Sequence, residues 1–123
     1  MHATIGGRTF TLELAITPAE RRRGLSNRGF LAPDGGMLFV YAQESNLSFW
    51  MKETLIPLDI LFLDRERRIV NIHTMVPQPG VPTGQLTLYR SASPALYAVE
   101  VNAGIAAELG LAPGMVVEFD NYP

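Results

Sequence analysis

Apolar and polar side chains alternate without a break from Thr9 to Ile16, with Phe10, Leu12, Leu14 and Ile16 on one side and Thr9, Thr11, Glu13 and Ala15 on the other. That period of two predicts a strand with one buried face. Just upstream, Gly6-Gly7 supplies the positive φ angles of a two-residue turn, so residues 4–9 predict a hairpin running into this strand. Thr17-Pro18-Ala19-Glu20 then predicts a helix start: Thr17 caps, Pro18 suits the first helical position, and Glu20 completes a capping box. Gly24 ends the helix in a left-handed cap. Arg21, Arg22 and Arg23 fall in its last turn, where cations complement the helix dipole.

The next apolar stretch, 37–41, follows a turn at Pro33-Asp34-Gly35-Gly36 and does not alternate, which predicts a strand buried on both faces. Residues 43–46 read as a loop, 47–51 as a strand leading to Lys52, and 54–57 as irregular. Residues 58–64 and 68–73 predict a second hairpin with 64–67 at its tip. Residues 75–85 carry Pro77, Pro79 and Pro82 with Gly80 and Gly84, and a loop of that length in a compact domain is often functional. A short strand over 86–89, an alternating strand over 95–101, a helix over 104–109 capped by Asn102 and closed by Gly110, and a last strand over 115–119 complete the chain. The elements predict a mainly β fold: an antiparallel β-sandwich or partly open barrel of about seven or eight short strands with two short helices. At 123 residues this is one domain with one core.

Chemistry concentrates in Phe49-Trp50-Met51-Lys52-Glu53-Thr54-Leu55-Ile56-Pro57-Leu58-Asp59. It holds the only tryptophan, and Lys52 is the only lysine among ten basic residues. Lysine, unlike arginine, changes its pKa readily on burial. Lys52 can therefore serve as a ligand-binding ammonium, a base or an imine-forming amine, or form a structural ion pair with Glu53 or Asp59. Trp50 suits either a platform for a sugar ring or cation, or the core. Phe49, Trp50 and Met51 cannot all point one way, so at least one faces out or into a cleft. Asp59 lies between Leu58 and Ile60 in a strand that reads as buried and must be paired or hydrogen-bonded. Capping the 54–57 loop and pairing with Lys52 are the two alternatives. His73 ends a strand at the mouth of the proline-rich loop, and with Asp59 and Glu53 it would make at most a weak metal site. Ser91, Ser93, His73 and Asp59 are the residue types of a hydrolytic triad, without a Gly-x-Ser-x-Gly elbow. Tyr89, Arg90 and Tyr97 can touch a ligand or form sheet pairs. No phosphate loop, dinucleotide fingerprint, EF-hand or HExxH motif occurs.

These residues also resemble a known family. Glu20-Arg21-Arg22-Arg23-Gly24-Leu25, Gly36-Met37-Leu38-Phe39-Val40, Phe49-Trp50-Met51-Lys52 and Thr54-Leu55-Ile56-Pro57-Leu58-Asp59 come in order. Pro94-Ala95-Leu96-Tyr97-Ala98-Val99-Glu100-Val101 and Gly104-Ile105-Ala106-Ala107-Glu108-Leu109-Gly110-Leu111 follow. The ordered set, spanning roughly Leu14 to Phe119, resembles the DUF192 (UPF0127) family of small bacterial and archaeal domains, for which no activity is established. The resemblance implies an architecture without implying a reaction. The chain departs from the family pattern in three places. Glu53 stands where relatives usually have Asn, there is no Cys after the fifth strand, and Gly114-Met115 stands where Gly-Asp is common.

Composition bounds the remaining classes. An apolar fraction of 47% with 18% charged residues fits a folded globular chain. A net charge of −2 gives no overall attraction to nucleic acid or anionic membrane, and no apolar run reaches membrane-span length. Without cysteine there is no disulfide, thiol nucleophile or zinc-thiolate site, and no metal or other cofactor is expected. The chain shows no signal-peptide pattern, which leaves a cytoplasmic protein or the mature form of an exported one. The expected function is a non-catalytic module binding a small polar, acidic or carbohydrate-like ligand. Its cleft is expected between the turn at Trp50 to Thr54 and the 75–85 loop, with Trp50, Lys52, Glu53, Asp59, His73 and Tyr89 as candidate contacts. The alternatives are a small enzyme using Lys52 and Asp59 as acid and base, or a structural Lys–Asp lock. A monomer or weak dimer is expected, since exposed sheet edges can pair two copies.

Overall fold

The computed structural model describes residues 1–120 and 122. Among these residues, nine strands form a curled seven-stranded sheet, an open half-barrel, and a separate two-stranded ribbon. The strands are β1 (His2–Ile5), β2 (Arg8–Ala15), β3 (Gly35–Ser45), β4 (Ser48–Phe49), β5 (Leu58–Leu63), β6 (Ile69–Met75), β7 (Tyr89–Arg90), β8 (Ala95–Asn102) and β9 (Glu118–Asp120). The large sheet runs β6-β5-β8-β3-β2-β1-β9, and β4 pairs with β7. All neighbours are antiparallel except β2 and β3, which run parallel. A parallel neighbour needs a crossover, and helix α1 (Pro18–Arg23) with the segment behind it provides one.

Local chemistry accounts for the ends of these elements. The β1–β2 turn takes positive φ at both Gly6 and Gly7. At α1, the Thr17 hydroxyl accepts from the Glu20 amide while the Glu20 carboxylate accepts from the amides of Thr17 and Ile16, so the capping box is complete. Gly24 ends the helix at φ 47° and ψ −132°, a positive-φ conformation outside the compact left-handed well. A Cβ there would also press on the Phe39 ring at 3.3 Å. Helix α2 (Ile105–Glu108) differs from expectation at its start, because Gly104 and not Asn102 holds the N-cap position and supplies no side-chain cap. Asn102 ends β8, and its amide donates to the carbonyls of Leu31 and Ala32. Residues 43–45, expected in a loop, continue β3, with a register irregularity between Val40 and Ser45. The strand expected over 47–51 shrinks to β4. The one expected over 86–89 shifts to β7, and the last strand begins at Glu118.

Two apolar clusters pack on the two faces of the sheet. One gathers Phe10, Leu12, Leu38, Leu61, Val99, Val101 and Ile105. The other gathers Phe39, Met51, Leu58, Ile60, Phe62, Met75 and Ala98. Central strands therefore lose their polar face: all six residues of β5 are buried, as are residues 36–40 of β3. The second face is the one that carries the site. No described helix is long and apolar enough to cross a membrane.

Candidate functional site

A cleft of about 540 Å³ opens over the second face, within the range typical of small-molecule sites. One wall is α1 and the segment after it, with Arg21, Arg22, Arg23, Gly24, Leu25 and Ser26. The other wall is Ser48, Phe49, Trp50, Lys52, Glu53 and Thr54, and the floor is Phe39, Tyr41 and Glu100. Hydrogen bonds hold the walls together. The Asn27 amide donates to the Glu53 carbonyl at 2.7 Å, and the Ser26 hydroxyl donates to the Lys52 carbonyl at 3.3 Å. Arg28 pairs bidentately with Glu13 on β2 and so pins the first wall to the sheet. That pairing holds the Glu13 carboxyl below its ordinary range.

The chain leaving β4 turns Phe49, Trp50 and Met51 to different surroundings. Met51 is buried and Phe49 is half-buried, packing edge-on against Phe39 at 4.9 Å and Phe62 at 5.8 Å. Trp50 remains 44% exposed on the rim. The exposed Lys52 carries its Nζ 5.8 Å from the Trp50 ring centroid, so these two form one amphipathic edge. Arg21 is the half-buried member of the arginine run. It donates to the carbonyls of Ile16 and Val40 and lies 4.6 Å over the Tyr41 ring, while Arg22 and Arg23 stay exposed. Burial pushes the Tyr41 hydroxyl above its ordinary range, and Glu100 adds to the rise against the lowering effect of Arg21.

Glu100 is the residue that the sequence did not single out. On β8 it faces Met37 of β3 and Ile60 of β5, on the same face as Ala98. It is 5% exposed. Burial alone pushes its carboxyl up to about 8, and among the described residues its side chain makes no hydrogen bond. A lone acid in an alternating strand reads as solvent-facing. The contrary signal was the apolar run Ile60 to Leu63 in β5, which marks a sheet covered on both faces.

Of the six candidate residues, the structure brings Trp50, Lys52 and Glu53 into the cleft and places Asp59, His73 and Tyr89 elsewhere. Asp59 points to the opposite face. Its Oδ2 accepts the amides of Gly104 at 3.0 Å and Ala106 at 2.9 Å, and its Oδ1 accepts the Thr74 hydroxyl at 2.7 Å. Thus Asp59 does cap backbone, but at the start of α2 and not at the 54–57 loop. No ion pair joins it to Lys52 among the described residues. His73 lies between Phe62 and Tyr89, with Nε2 3.0 Å from the Arg90 carbonyl, so it fastens the β4–β7 ribbon to β6. The Ser91 hydroxyl donates no proton to His73; it accepts from the Leu47 amide at 2.9 Å. The 75–85 loop, expected as a cleft wall, does not line the cleft. No three described His, Asp or Glu side chains cluster as metal ligands.

Glu53 takes φ 54°, a left-handed conformation that Asn adopts far more readily than Glu. The family's usual Asn thus has a backbone reason at this turn. Glu53→Asn is expected to raise the unfolding free energy by roughly 0.5–1 kcal/mol, read by denaturant titration. A decrease would show that the Glu53 side chain contributes more than its backbone costs.

These features define a single mainly β domain with a lateral cleft between a short arginine-bearing helix and a Trp–Lys turn. The chain belongs to the DUF192 family (Uncharacterized ACR), whose model matches residues 1–119. Two solved structures share the fold. A protein of unknown function from Novosphingobium aromaticivorans is 39% identical, with a TM-score of 0.85 over 96% of this chain and 82% of that one. A protein described as a candidate transcription regulator from Sinorhizobium meliloti is 37% identical, with a TM-score of 0.82 over 95% of this chain and 92% of that one. No curated protein matches the chain.

Proposed function

We propose that this protein is a binding module for a small polar ligand with an acidic group, taken at the cleft between α1 and the Trp50–Lys52 turn. The observation that carries this reading is the arrangement of charge around an apolar floor. Arg22, Arg23 and Lys52 stand at the mouth, while Phe39, Phe49 and Leu25 line the interior. Cations above an apolar recess attract an anionic group and let the rest of the ligand displace water. The Sinorhizobium relative's description is compatible with a ligand-sensing cleft and names no ligand.

Because Trp50 is the only tryptophan and sits on the cleft rim, its fluorescence reports occupancy directly. Titration with dicarboxylates, sugar acids and sugar phosphates is expected to give a saturable change with at least one of them. Lys52→Ala is expected to weaken that binding by about tenfold, equivalent to about 1.4 kcal/mol, without lowering Tm. A flat response across the panel, or an affinity unchanged in both Lys52→Ala and Arg22→Ala, defeats the reading.

A second reading is favoured by Glu100, a carboxyl in a cleft with a pKa pushed up to about 8, as expected of a general acid or base. It takes the place of the Lys52–Asp59 acid–base pair, whose members lie on opposite faces. Turnover of a bound ligand in wild type, followed by NMR and lost in Glu100→Gln, separates catalysis from binding alone.

A further inference from the structure

Glu100 combines three properties: it is buried, it lines the cleft, and its side chain has no hydrogen-bonding partner among the described residues. No described side-chain nitrogen or oxygen that is sealed from solvent lacks a partner, so the Glu100 oxygens open onto the cleft. The strands on either side offer no cation to them, since Met37 and Ile60 are the register partners. The charged or titratable groups that share the cleft with it are Tyr41 from β3, Arg21, Arg22 and Arg23 from α1, and Lys52 and Glu53 from the opposite wall, and of these Tyr41 interacts with it electrostatically. Arg21 is already committed to two backbone carbonyls and to the Tyr41 ring.

A buried carboxyl without a partner is costly, and a ligand that supplies the partner recovers that cost. Phe39 and Phe49 line the same cleft, and aromatic rings beside a carboxylate suit a cation better than an anion. The mouth, with Arg22, Arg23 and Lys52 against the single acid Glu53, favours an anion. Only a ligand charged at both ends satisfies both. We propose that the cleft takes a small zwitterion, a primary amine bearing a carboxylate, with the ammonium on Glu100 and the carboxylate on Lys52 and its neighbouring arginines. This rests on the cleft being a binding site and specifies what that site selects.

Glu100 carries its proton in the free protein near neutral pH, because burial pushes its carboxyl up to about 8. When an ammonium binds, the carboxyl releases that proton to the buffer and the carboxylate pairs with the ligand; no other bond changes. A hydroxyl in the same place would leave the proton on Glu100.

The test is calorimetry near neutral pH in two buffers of different ionisation enthalpy. Glycine, γ-aminobutyrate and ε-aminocaproate are compared with glycolate, γ-hydroxybutyrate and ε-hydroxycaproate. One amino acid of the series is expected to bind at least about tenfold tighter than its hydroxy counterpart, with about one proton released per ligand. Glu100→Gln is expected to abolish both the preference and the proton release. Lys52→Ala is expected to weaken both series alike and leave the preference intact. If hydroxy acids bind wild type as tightly as amino acids, or proton release persists in Glu100→Gln, the zwitterion is overturned while the anion-binding cleft stands. If neither series binds but a sugar acid or dicarboxylate does, the zwitterion again falls alone. If nothing binds, both fall.

Discussion

The stability of this protein is expected to fall as pH rises from the ordinary glutamate value of 4.5 to about 8, the range over which Glu100 keeps its proton in the fold but loses it in the unfolded chain. The folded pKa is raised, so between these limits the native state binds more protons than the unfolded chain, and stability decreases with pH. The contribution is complete below 4.5, lost progressively across the window, and flat above about 8. At about 1.4 kcal/mol for each pH unit, the loss is on the order of several kcal/mol, a large share of the 5–15 kcal/mol that typical domains possess, roughly. Glu13 and Glu20 act in the opposite sense and elsewhere. Arg28 holds Glu13 low, and the amides of Thr17 and Ile16 hold Glu20 low, so their contributions are present above 4.5 and fade as pH falls. Glu13 is exposed and Glu20 lies at the surface with its carboxylate in water, which keeps those effects small. Denaturant unfolding of wild type and Glu100→Gln at acid, neutral and alkaline pH checks this. Glu100→Gln should be nearly flat across the window and more stable than wild type at the alkaline end. A wild-type profile without a slope, or a slope that survives in Glu100→Gln, would show that the carboxyl is ionised or solvated in the fold.

Removing Asp59 is expected to cost about 3–5 kcal/mol, because Asp59→Ala strands two backbone amides and a hydroxyl that share one carboxylate. Gly104 begins α2 without a capping side chain of its own, and helices of four residues do not form unaided. Asp59 is therefore the reason that α2 exists at this point, and exchange protection at Ala106 should vanish with the carboxylate. Lys52→Ala should change stability by less than about 0.5 kcal/mol, as exposed side chains usually do. The double variant should equal the sum of the two within about 0.5 kcal/mol. A coupling well above that would mean that Lys52 and Asp59 interact after all. Near-wild-type stability of Asp59→Ala would mean that water serves the start of α2 as well as the carboxylate does.

Local rules settled much of this protein. Gly6-Gly7 determined a turn because only glycine enters positive φ freely, and Thr17 to Glu20 determined a helix start because its capping groups lie within four residues of one another. The alternation of β2 and the non-alternating apolar stretches 37–41 of β3 and 60–63 of β5 determined which strands have one covered face and which have two. The ordered motifs determined the family. In the cleft, the Trp50–Lys52 turn was legible because a lone Trp beside a lone Lys is a local anomaly. The partners of these groups were not legible, because partnership is set by register and crossover, not by spacing. Pairing β8 between β3 and β5 turned Glu100 from a surface acid into a buried one. The parallel β2–β3 crossover carried the arginines of α1 across to face Trp50. The return of the chain after β8 brought Gly104 and Ala106 onto Asp59, 45 and 47 residues away in sequence. Asp59 announced in the sequence that it needed a partner, and only the tertiary structure could decide that the partner was backbone and not Lys52. The energy of a buried charge depends on which groups surround it, and that surrounding is assembled from strands distant along the chain.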